Sequence, residues 1–237
     1  MNGNPPDSGP PTVAGLEAVR AEAIRWVADT RFALDQITRL SRERGSKFYG
    51  KMDLARIGAF GHSLGGQAAV RLCQVDFRVH ACLNQDGEIF GTPAGSPDPI
   101  PSVIAGKGTE APVAVMYVAE PGFTDAQLTA VKVTRKQFED WRAAKNAALR
   151  SFLNGNSAAS YLITIKLPGY VHASFMDIRQ LGTVPDAQAA DNLRVGIDYT
   201  LSFFDAHLMN KRQGWNDLMA HPKDGITVEP LGTRRVR

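Results

Sequence analysis

Arg56-Ile57-Gly58-Ala59-Phe60-Gly61-His62-Ser63-Leu64-Gly65-Gly66 is a short apolar run that ends in Gly-x-Ser-x-Gly, and a segment of helical periodicity, Gln67 to Val75, follows at once. Strand, sharp turn and helix in that order are the setting of a nucleophile elbow. Such a serine sits in a strained turn, so Gly61 and Gly65 are expected to be required because a side chain at either flank would collide with the neighbouring strand or helix. Ser63 then stands at the carboxyl edge of a sheet, with the Leu64 N–H aimed at a developing oxyanion. The plainer reading is a glycine-rich strand-to-helix turn whose serine caps the helix.

Outward from the elbow, strands alternate with helices. Upstream, Leu16, Val19, Ala23, Trp26/Val27, Thr30, Leu34, Ile37 and Leu40 recur in steps of three and four, which predicts an amphipathic helix from Leu16 to about Arg42. Downstream, Arg78 to Asn84 reads as a strand closed by Gln85-Asp86-Gly87, and Gly91 to Gly108 as a proline- and glycine-rich loop. Pro112 to Val118 is a near-continuous apolar run, as in a parallel strand covered on both faces. Thr124-Asp125-Ala126-Gln127 looks like a capping box that opens a helical stretch to about Phe152. Tyr161 to Leu167 is the fourth strand, followed by Pro168-Gly169 and His172, and a last helix runs from about Asp191 to Met209. The class is α/β with a parallel sheet.

Composition narrows the function. A chain of 237 residues with 43% hydrophobic and 22% charged residues fits one large α/β domain. The net charge of +3 is accounted for by Arg234-Arg235-Val236-Arg237, read as solvated, so no basic face for nucleic acid is implied. No apolar run reaches the length of about 18 residues that spans a membrane. Residues 1–12 read as a disordered leader without the apolar core of a signal peptide, 13–210 as the domain and 211–237 as a C-terminal tail. Cys73 and Cys82, without a ligand spacing, are expected to be buried free thiols, which fits a reducing compartment. Localisation is otherwise unmarked, with the cytoplasm as the default.

A serine hydroxyl needs a base within hydrogen-bond reach and a third group to orient that base. In open α/β sheets such groups gather in loops at the carboxyl ends of the strands. Of five histidines, His62 lies inside the elbow and reads as a packing residue, His80 is at the wrong end of a strand, His207 is on the last helix and His221 is in the tail. His172 follows the last strand, in the loop where a base belongs and in the chain order nucleophile, acid, histidine. Two carboxylates compete for the orienting role: Asp86, carried directly off a strand, and Glu120, which ends the next strand before Pro121-Gly122.

Three segments together, Gly61 to Gly66, Ala81 to Gly87 and Ile163 to Lys166 through Val171 to Asp177, resemble the plasma-type platelet-activating factor acetylhydrolase family. The resemblance runs from about Leu16 to Met209 and implies the α/β-hydrolase fold. Position by position it implies Ser63 as nucleophile, Asp86 as the orienting acid, placed one strand earlier than usual, and His172 as base. It also implies a serine esterase, independent of calcium and of any cofactor, that cleaves short or oxidised acyl chains from phospholipids or related small esters. The full fold carries several strands before the elbow strand, and a loop among them donates a second oxyanion N–H; here only the Leu16 to Arg42 helix precedes it. The expectation is therefore the C-terminal part of a truncated hydrolase, with about four mainly parallel strands and an open sheet edge that a missing segment or a partner covers. Two rival readings are a general carboxylesterase of the dienelactone hydrolase or cutinase type with Glu120 as acid, and a non-catalytic hydrolase remnant acting as an interaction module.

Overall fold

The computed structural model describes residues 13–87, 104, 108–119, 124–130, 132–177 and 187–232. The leader 1–12, most of the loop Gly91 to Gly108, Glu120-Pro121-Gly122 and the basic end Arg234 to Arg237 lie outside the described residues.

The first helix, α1 (Val13–Arg42), buries Ala23, Val27 and Leu34 on one stripe, as its spacing predicts. The elbow unit follows as β1 (Ile57–His62), α2 (Leu64–Val75) and β2 (Val79–Gln85). Next come β3 (Val113–Val118), α3 (Asp125–Ala130), α4 (Arg135–Asn154) and β4 (Ser160–Ile165). A 3₁₀ turn over His172–Phe175, then α5 (Ala187–Leu208), α6 (Gln213–Ala220) and β5 (Ile226–Leu231) complete the order. The strands form one sheet in the order β1-β2-β3-β4-β5; neighbours among β1 to β4 are parallel, and β5 is antiparallel to β4.

Helices cover both faces, and their apolar stripes explain why the central strands read as unbroken apolar runs. On one face Val70 and Leu72 of α2 and Phe152 and Leu153 of α4 pack with Val113, Val115 and Leu162. On the other, Tyr199 and Phe203 of α5 and Trp215 of α6 pack with Ala114, Met116, Tyr161 and Ile163. β1 is a terminal strand, and its Phe60 is 60% exposed. This mixed α/β architecture, a mostly parallel sheet between helical layers, is that of the α/β-hydrolase fold.

Three details depart from the expectations. The helical stretch after Thr124 is two helices, because Thr134 and Gln137 form a second capping box: the Gln137 N–H donates to Thr134 Oγ1 at 3.2 Å and the Thr134 N–H donates to Gln137 Oε1 at 2.9 Å. Lys132, at φ +57°, breaks the chain just before it. Residues 211–237, expected to be a tail, hold α6 and a fifth strand. Pro230 obscures that strand in the sequence, and it is tolerated because β5 is an edge strand.

The third departure corrects the free thiols: Cys73 and Cys82 are joined in a disulfide, with Cα atoms 6.3 Å apart. α2 lies across β2, and both residues face the same core layer. Helix-on-strand packing, invisible in a spacing of nine residues, brings them together. With it goes the reason for reading a reducing compartment. Closing so short a loop stabilises the fold by about 3 kcal/mol in the chain-entropy model. Urea unfolding with and without a phosphine reductant is expected to show a loss of that order, and two titratable thiols in the unreduced, denatured chain would contradict the bond.

His207 of α5 sits among Phe203, Tyr161 and Trp215. Burial, and then the charge of Arg212, pushes its imidazole down to about 4. An unfolded histidine titrates near 6.5, so between about 6.5 and 4 the unfolded chain binds a proton that the folded chain does not. Stability is therefore expected to fall as pH drops through that window and to level off below it. His207→Phe should flatten this part of a pH series of denaturant midpoints.

Candidate active site

The elbow is built by backbone geometry. Ser63 has φ +55° and ψ −122°, a conformation that disfavours a Cβ, between the end of β1 and the first turn of α2. Its N–H donates to the Gln85 carbonyl at 2.9 Å, and its own carbonyl accepts from the Gly66 N–H at 2.9 Å. The serine side chain makes no capping bond to the helix, which removes the plainer reading of its role. As the first amide of α2, the Leu64 N–H has no helical carbonyl behind it and is left available to an external acceptor.

Close packing explains one of the two expected glycines and replaces the other. A Cβ on Gly61 would lie 2.4 Å from the carbonyl carbon and oxygen of Gly65. A Cβ on Gly65 itself would meet only Trp26, at 3.8 Å, so Gly65 is not required for want of space. The crowded positions are Gly66, where a Cβ would come within 2.1 Å of Asn84 Oδ1, and Gly87, where it would come within 2.2 Å of the Ser63 carbonyl oxygen. The missed signal was Gly66-to-Asn84 contact, which joins two segments distant in sequence.

β1 and β2 run in register with His62 opposite Gln85, so the next residues, Ser63 and Asp86, leave the sheet side by side. Asn84, fully buried, closes the turn that carries Asp86: its Oδ1 accepts from the Gly87 N–H at 2.7 Å and its Nδ2 donates to the Gly87 carbonyl at 3.0 Å. Asp86 has φ +55°, like Ser63. Its N–H donates to the Met116 carbonyl at 2.8 Å, and its Oδ1 accepts from the Val118 N–H at 2.9 Å. The other oxygen, Oδ2, accepts from His172 Nδ1 at 2.7 Å. The aspartate side chain is 10% exposed and the histidine 45%, which shields the carboxylate and leaves the imidazole open.

Of the candidate residues, then, Ser63, Asp86 and His172 converge on the carboxyl edge of the sheet, and Glu120 lies outside the described residues. His62, read from sequence as packing, does more. Its Nε2–H donates to the His172 carbonyl at 2.9 Å, its ring lies 4.3 Å from the His172 ring, and Phe175 flanks it at 5.8 Å. Burial and the neighbouring His172 lower its pKa, so the neutral donor form is favoured. Behind the histidine loop, Tyr170 is buried against Phe175, and burial together with the Asp86 charge drives its phenol far above the usual range. The role of His62 was not legible, because it reaches the His172 loop only across the fold.

Among the described residues no group of three or more His, Cys, Asp or Glu is placed to hold a metal ion, and no helix is long and apolar enough to cross a membrane. No family model matches the chain, and no curated protein matches it. Among solved structures it is similar to a ferulic acid esterase from Streptomyces cinnamoneus, at 25% identity and a TM-score of 0.54. That match covers 89% of this chain and 55% of the esterase, so the chain spans about half the length of the structure it matches.

A proton shared between His172 Nδ1 and Asp86 should give a strongly downfield resonance. Asp86→Ala is expected to abolish it, whereas Glu120→Gln should leave it in place; the reverse pattern would assign the partner to Glu120.

Proposed function

We propose that the chain is the catalytic part of a serine ester hydrolase that works through Ser63, His172 and Asp86. The observation that carries this reading is the charge-assisted bond between His172 Nδ1 and Asp86 Oδ2, at 2.7 Å, beside a serine in elbow geometry. The likeness to a ferulic acid esterase supports the reaction class. In the proposed route, His172 Nε2 takes the Ser63 hydroxyl proton as the oxygen attacks the ester carbonyl. The Leu64 N–H faces the oxyanion, and the protonated histidine hands its proton to the departing alcohol. Water, deprotonated by the same histidine, then releases the acid and restores the serine. Asp86 stays ionised and holds the imidazole in the tautomer that presents Nε2 to the serine.

The finer substrate reading, short or oxidised acyl esters of phospholipid-like molecules, rests on the resemblance of the three segments to the platelet-activating factor acetylhydrolases. A dienelactone hydrolase or cutinase type of esterase would place its acid at Glu120. The exposed Phe60 on terminal strand β1 favours a further element of the proposal: an additional segment or partner pairs with this edge and brings a second oxyanion donor. A hydrolase remnant that uses the same edge for interaction would keep the pairing and lack the chemistry.

A fluorophosphonate probe is expected to label the protein at Ser63. Ser63→Ala should abolish labelling, and Asp86→Asn should lower ester turnover by about three to four orders of magnitude. Glu120→Gln is expected to leave turnover nearly unchanged. Normal substrate binding by a chain that the probe never labels would refute the nucleophile.

A further inference from the structure

A groove of about 790 Å³ opens at the carboxyl ends of β3 and β4, on the face covered by α4. It begins one residue from each of the two places that hold the proposed acid and base. Ala119 follows Val118, whose N–H holds Asp86 Oδ1, and Val171 precedes His172. Tyr117, Thr164 and Asn146 give it hydroxyl and amide groups, and Leu149 and Leu162 an apolar floor.

Its charge is one-sided. Arg142, Arg150 and Lys166 line it, and no Asp or Glu does among the described residues. Arg150 is held by Glu229 of β5, which neutralises it. Arg142 lies over the Phe138 ring, 5.8 Å from its centroid, and no carboxylate is ion-paired with Arg142 or Lys166 among the described residues. A half-apolar channel with two cations, Arg142 and Lys166, that pair with no carboxylate among the described residues suits an amphipathic anion.

Resting on the ester hydrolase reading above, we infer that this groove selects esters that carry an anionic carboxylate or phosphate, with Arg142 and Lys166 as the residues that hold it. The anion comes from one of two ends of the substrate, a carboxylate at the far end of the acyl chain or a phosphate on the alcohol. Either way the groove leads it away from His172 and leaves the scissile carbonyl at Ser63.

The test compares matched esters: 4-nitrophenyl butyrate against 4-nitrophenyl hemiglutarate for the acyl side, and acetylglycerol against acetylglycerol 3-phosphate for the alcohol side. The anionic member of one pair is expected to be preferred about tenfold in kcat/KM, chiefly through KM, and the preference should shrink with salt. The pair that shows it identifies the end. An Arg142→Gln/Lys166→Gln variant should lose the preference and keep its rate on the neutral esters. No preference in either pair, or one that survives the double substitution, overturns the inference. Calorimetric titration of Ser63→Ala protein with glutarate and with glycerol 3-phosphate separates the two readings. Binding of either that depends on Arg142 and Lys166, in a protein whose native form hydrolyses no ester, supports the anion groove and refutes the hydrolase. Active enzyme that binds neither compound refutes the groove alone.

Discussion

The hydrogen bond from the Ser63 N–H to the Gln85 carbonyl extends the parallel ladder of β1 and β2 one step beyond the strands. Every other feature of the candidate site is arranged around that step. It sets Ser63 and Asp86 side by side, although 22 positions separate 63 from 86 along the chain, counting the residues between them. It also brings the elbow so close to the acid turn that Gly66 and Gly87 have no room for a Cβ. Asn84, with both side-chain groups spent on Gly87, locks the turn from below. A shift of register by one residue would move Asn84 to the other face and undo all of these contacts.

Strain is concentrated where the chemistry is proposed. Two of the four non-glycine residues with positive φ among the described residues are Ser63 and Asp86. The serine is held there by backbone bonds to Gln85 and Gly66, and the aspartate by its N–H on the Met116 carbonyl and its Oδ1 on the Val118 N–H. Such conformations persist only when the surrounding structure over-determines them. Here a parallel sheet buried on both faces supplies that rigidity, and the 3₁₀ turn at His172, tied to His62, is the more exposed partner.

The alternation of strand and helix was legible because both periods are strong in this chain. The α1 stripe and the unbroken apolar run of β3 needed no tertiary information. The split between α3 and α4 was also written in the chain, since Thr134-x-x-Gln137 repeats the pattern of Thr124-x-x-Gln127. β5 was hidden by Pro230 and by having only one neighbour to satisfy. In the candidate site, the gathering of Ser63, Asp86 and His172 at one sheet edge was legible from their positions after the first, second and fourth strands. His62, Asn84, Gly66 and Gly87 did not, because their roles depend on contacts between segments.

By itself the sequence determined the α/β class, the strand-turn-helix setting of Ser63 and the strand-end positions of Asp86 and His172, because these are properties of local period and of chain order. Only the tertiary structure decided what touches what. It joined Cys73 to Cys82, directed His62 to the His172 carbonyl, and moved the crowded glycine from Gly65 to Gly66. The physical reason is common to all three: helices and strand-end loops packed against a parallel sheet bring together residues whose distance in space bears no fixed relation to their spacing in the chain.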